Sequence, residues 1–129
     1  MRVPRSLSLL VLLGVVASGW AAAPAISSHP KTVDASIREN GPQFSFRPRV
    51  VTIHQGDSVR WRWCPATGGC SSAHNVVGSL NGKTNFKSPR NASATRGVTS
   101  GSYSRRFMRA GTYQVVCLIH GFSMKVKVS

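Results

Sequence analysis

The sequence predicts an all-β domain, a sandwich of about seven to eight strands. Three observations predict it. From Phe44 onward, apolar and polar residues alternate with period two over several short stretches. Turn-forming residues separate those stretches. No helical apolar period of useful length follows the N-terminal segment. With 129 residues, the chain has room for one compact domain and not two.

The elements follow in order. Residues 1–25 read as a secretory leader. Arg2 and Arg5 form its positive end, Leu7 to Val16 its apolar core, and Ala21 and Ala25 offer small residues before a cut. The apolar run is shorter than the roughly 20 residues a membrane span needs. The mature chain is therefore expected to be extracytoplasmic, in a periplasm or its equivalent, with no transmembrane segment. Residues 26–43 form a lead-in with one strand near Thr32 to Arg38. Residues 44–129 form the domain core.

Within that core, Phe44 and Phe46 alternate with Ser45 and Arg47, and Pro48 marks a bend or an edge. Val51 and Ile53 continue the apolar face. His54-Gln55-Gly56-Asp57 reads as a turn. Val59, Trp61 and Trp63 then alternate with Ser58, Arg60 and Arg62, so one face is buried and the other wet. Asn75 to Val77 is a further short strand. Residues 78–102 carry Gly, Ser, Asn and Thr, the chemistry of a long loop. Strands follow at Tyr103 to Met108, at Tyr113 to Cys117 and at Met124 to Val128.

Seventeen basic residues face three acidic ones, a formal net charge of +14. Such a field attracts acidic partners, anionic membrane surfaces or nucleic acid, and charge alone does not choose among them. The basic residues are spread along the chain. Trp61 and Trp63 point to one face, which suits core packing better than base stacking, so no specific nucleic acid is expected. An enzyme is disfavoured. Asp34, Glu39 and Asp57 are the whole acidic inventory, and four histidines are too few for a multicopper oxidase.

Three cysteines cannot all pair. Cys64 and Cys70 flank a short Pro-Ala-Thr-Gly-Gly segment and form the natural disulfide of an exported chain. Loop closure that short is worth about 2 kcal/mol. Cys117 is left over. It stands in Cys117-x2-His120-x3-Met124, downstream of His74-Asn75. Thiolate and thioether are soft donors suited to Cu(I), and imidazole serves both copper oxidation states. His29 and His54 lie in the lead-in and at a turn, where both read as solvated.

These segments resemble the cupredoxins, the blue copper proteins related to plastocyanin, pseudoazurin and halocyanin. The resemblance runs from Phe44 to Ser129. It is carried by Phe46-Arg47-Pro48, Gly56 to Trp61, His74-Asn75-Val76-Val77, Phe107 to Tyr113, and above all Val116-Cys117-Leu118-Ile119-His120-Gly121. It implies a Greek-key sandwich. It makes His74, Cys117 and His120 the equatorial ligands of one copper ion and Met124 the axial one. Asn75 would brace the ligand loops. Ile119, His120 and Phe122 would form the edge through which electrons reach a redox partner protein, one with an acidic docking surface given this chain's charge. The spacing between His120 and Met124 differs from those usual in plastocyanin-type loops, which implies a changed axial distance and an altered potential. The expected function is a monomeric one-electron carrier. The alternative is a periplasmic copper chaperone or buffer using the same ligands.

Overall fold

A computed structural model describes residues 18, 19, 26 and 28–129. The leader and its cut lie almost wholly outside the described residues. Among those described, no helix is long and apolar enough to cross a membrane. The described residues form nine strands: β1 Thr32–Asn40, β2 Gln43–Arg47, β3 Val50–Ile53, β4 Ser58–Trp63, β5 Val76–Leu80, β6 Lys83–Ser88, β7 Ser102–Arg106, β8 Gly111–Val116 and β9 Ser123–Val128. They make two sheets, in the orders β2-β1-β4-β7 and β3-β9-β8-β5-β6. β1 pairs with β4 and β3 with β9 in parallel, so the sandwich is tied by crossed, Greek-key-like connections.

Period-two alternation builds the core. Trp61 and Trp63 are buried between exposed Arg60 and Arg62, and Met124, Val126 and Val128 are buried between exposed lysines. β1 is the strand expected near Thr32 to Arg38. It sits between β2 and β4 and buries Ala35 and Ile37. At the opposite end from Glu39, the fully buried Asp57 carboxylate accepts the Lys31 and His54 amides at 3.0 and 3.1 Å. That bond ties the start of β1 to the turn between β3 and β4.

Two corrections explain the count of nine. The stretch 44–53 does not continue one face, because the chain changes sheets at Pro48 and yields two strands. Residues 78–102 are not one loop. The dipeptide Asn81-Gly82 adopts positive φ at both positions, 52° and 76°, and turns the chain into β6. Only Phe86 of β6 is buried, so this edge strand shows no alternation in sequence.

Candidate metal centre

The site lies where β8 runs out. Tyr113 and Val115 are buried on the inward row of β8, and Cys117 continues that row, fully buried. Beyond it the chain turns back at once. Gly121 N–H donates to Cys117 O at 2.7 Å, and Cys117 N–H donates to Phe122 O at 3.0 Å. Gly121 takes φ 78°, a conformation that favours glycine. This tight turn lifts His120 to the surface while its ring still reaches the thiol, with Nδ1 3.7 Å from Cys117 Sγ.

His74 comes from the neighbouring segment, just before β5, which pairs with β8. Its side chain is fully buried and its Nδ1 lies 3.8 Å from Cys117 Sγ. Its backbone is fixed on two sides. It exchanges both bonds with Val98 at 2.9 Å, and its carbonyl accepts the Trp63 indole N–H at 3.1 Å. The segment after β6, which sequence alone leaves without a role, thus holds this candidate ligand in place.

Asn75, fully buried, joins the two ligand loops. Its Nδ2 donates to Ser93 O and Arg96 O, both at 2.8 Å, and its Oδ1 accepts Leu118 N–H at 2.7 Å.

Glu39 was counted in the sequence only as one of three acids. In the structure its Oε1 lies 2.9 Å from His74 Nε2. It also accepts the Ser71 and Ser72 amides at 2.7 and 2.8 Å. Burial opposes ionisation of this carboxyl, but the two amides and His74 outweigh it and bring it down to about 2. Burial holds His74 below the ordinary histidine range, against the pull of Glu39. A neutral His74 therefore donates Nε2–H to an anionic carboxylate. Its Nδ1 lone pair is left facing Cys117. The signal was in the period: Ala35, Ile37 and Glu39 share the inward row of β1.

Aromatic rings wall the site. The Phe44 ring lies 4.9 Å from that of His74 and 4.5 Å from that of His120. Phe122 lies 5.5 Å from His74 and 4.7 Å from Phe46. Of the expected docking residues, His120 is exposed, while Ile119 and Phe122 are half-buried. Leu118, which the sequence reading did not single out, is 40% exposed beside them. Met124 is buried on β9, where its sulfur accepts the Trp61 indole N–H at 3.2 Å. Cys64 and Cys70 are joined in a disulfide. Cys70 lies near Glu39 and His74, but its sulfur is already committed.

The donor atoms of His74, Cys117 and His120 all lie within 4.8 Å of one another. A trigonal ion at zinc-like lengths, about 2.3 Å to sulfur and about 2.0 Å to nitrogen, sets sulfur and nitrogen about 3.7 Å apart. Both observed separations agree. One soft thiol and two imidazoles are a donor set for copper.

Comparison with known proteins points the same way. Residues 32–129 match the family of copper binding proteins described as plastocyanin/azurin. No curated protein matches the chain. Among solved structures, oxidised plastocyanin from Dryopteris crassirhizoma is similar at 16% identity and a TM-score of 0.57, covering 75% of this chain and 100% of that one. A purple cupredoxin from Nitrosopumilus maritimus is similar at 23% identity and a TM-score of 0.55, covering 74% and 98%. Pseudoazurin from Methylobacterium extorquens AM1 follows at 20% identity and 0.54, covering 76% and 75%. At these identities the structures speak for the cupredoxin sandwich. The family match and the fit of the donor set carry the rest: the chain belongs to the plastocyanin/azurin family of copper-binding proteins, and its cofactor is one copper ion.

Proposed function

We propose that the protein is an exported one-electron carrier whose copper is held by His74, Cys117 and His120. One observation carries the reading: the three donors already stand at coordination spacing, fixed by Asn75 and Glu39. Copper, when bound, supplies a Cu(II)/Cu(I) couple. The chain's part is to keep the donors still, so that little moves on electron exchange. Buried Cys117 and His74 are shielded from water by Phe44 and Phe122, while exposed His120 offers an edge to a partner.

The reading as a carrier and not an enzyme is supported by the engagement of all three acids. Asp34 pairs with Arg60, Glu39 with His74, and Asp57 with backbone amides. None is left to serve as a general base at the metal. The excess of basic residues favours an acidic redox partner docked near His120 and Leu118. Export is supported by the composition of the leader and by the Cys64–Cys70 disulfide.

The test is copper loading of the purified protein. An intense visible thiolate-to-copper band is expected, bleached by one electron per protein and restored on reoxidation. Cys117→Ser should remove it. A band that survives in Cys117→Ser overturns the ligand assignment. Rapid loss of Cu(I) to a competing chelator, with no reversible couple, would favour copper handling. Added salt should slow electron exchange with an acidic partner, through screening of the basic surface.

A further inference from the structure

Met124 is the ligand that the spacing proposes, and the structure puts its sulfur elsewhere. On the β8–β9 hairpin, Val115 stands opposite Met124 and Val116 opposite Ser123. The Cys117 N–H to Phe122 O bond adds the next rung. Residues two apart share a face. The inward residue directly across from Cys117 is therefore Phe122, and Met124 sits one inward position deeper, about 7 Å further along the strands.

The opposite sheet gives the same depth independently. Trp63 is level with the site, because its indole N–H bonds the His74 carbonyl. Trp61 lies two residues further in on β4. Its indole N–H bonds Met124 Sδ at 3.2 Å. The thioether is thus at the level of Trp61, among Phe86, Tyr103 and Phe107, the rings that surround this indole. Moving the sulfur to the metal would leave a fully buried indole N–H without its acceptor, a cost of about 1–3 kcal/mol.

We propose that this copper centre has no thioether ligand: its fourth side is closed by the Phe122 ring, backed by Phe44, and Met124 is a core residue held by Trp61. The inference rests on the copper reading above. It has a chemical consequence. Cu(I) tolerates a dry, three-donor site better than Cu(II) does, so an aromatic wall in the axial place raises the reduction potential relative to a thioether there.

The experiment compares wild type, Met124→Leu and Phe122→Met. In copper-loaded protein, Met124→Leu should leave the visible bands, the paramagnetic-resonance spectrum and the potential as in wild type. Phe122→Met should lower the potential and change the spectrum. A change in Met124→Leu as large as that in Phe122→Met overturns the proposal. A second readout follows the Trp61 indole N–H resonance. It should move on Met124→Leu in copper-free protein, yet stay in place when wild type takes up Cu(I). A shift on Cu(I) uptake toward the Met124→Leu position places the sulfur on the metal and overturns the proposal. A colourless wild type with no reversible couple would refute the carrier reading instead. In copper-free protein, an indole resonance unmoved by Met124→Leu would still count against the placement of Met124.

Discussion

Glu39 Oε1 and His74 Nε2 stand 2.9 Å apart, joining the end of β1 to a candidate ligand just before β5. The pair fixes the His74 tautomer and makes its ring a stronger donor. Glu39→Gln removes the negative charge and presents an amide to groups that are themselves donors. Copper affinity should fall about 10-fold or more, with a rise in potential, since partners of this kind are worth 10–100-fold in affinity. A chelator competition titration and a redox titration measure both. Unchanged values in each would remove Glu39 from the site's machinery.

Asn75→Ala breaks three bonds at once and strands the Leu118 amide, while the Ser93 and Arg96 carbonyls keep only their long bonds to each other's amides, 3.4 and 3.3 Å. A buried group left unpaired costs about 1–3 kcal/mol. The copper-free variant should lose about 3 kcal/mol and melt more than about 10 °C lower. Thermal unfolding followed by circular dichroism checks it. A drop of a degree or two would show that the ligand loops hold without this side chain.

Gly97 lies flat against His74. A Cβ there would stand 2.7 Å from the His74 carbonyl carbon and 2.8 Å from Ile119 Cδ1. Gly97→Ala should push on both ligand loops, destabilise the protein by about 1–3 kcal/mol and weaken copper binding. Gly41→Ala is the control. It has positive φ but open space, so it should cost about 1 kcal/mol and leave copper affinity alone. Equal copper affinity in the two variants would count against the packing explanation.

The disulfide acts at a distance of one residue. Cys70 precedes Ser71 and Ser72, whose amides hold Glu39. A Cys64→Ala, Cys70→Ala double variant should lose about 2 kcal/mol from chain entropy. It should also bind copper more weakly, because the loop that positions Glu39 is loosened. Lost stability with unchanged copper affinity would confine the bridge to a structural part.

The sandwich and the candidate donor triangle were legible because both rest on local rules. Alternation exposed β2, β4, β8 and β9, and the spacing of Cys117 and His120 around a tight turn named two candidate donors that the structure brings together. What escaped was non-local. Glu39 reaches His74 only because β1 runs beside β4 in parallel, a pairing no short window reveals. Leu118 was passed over because its exposure depends on how the turn is tilted. The β5–β6 hairpin was missed for another reason. Asn81-Gly82 is a strong turn signal, but β6 is an edge with one buried residue and looks like loop. Met124 shows the limit of spacing itself. The residue count from His120 permits a ligand, while the rung on which the sulfur sits is set by where the hairpin closes.

The parallel partnership of β3 and β9 bears on how the molecule is made. Val50 stands opposite Lys125 and Ile53 opposite Val128, so an early strand joins the sheet only through the last one. During synthesis on the ribosome the second sheet cannot close until Ser123–Val128 has emerged. Pairings this remote in the chain belong to slow folders. Removing Ser123–Val128 should therefore release two strands and not one, leaving a chain that neither folds to completion nor brings the His74 and Cys117 loops together.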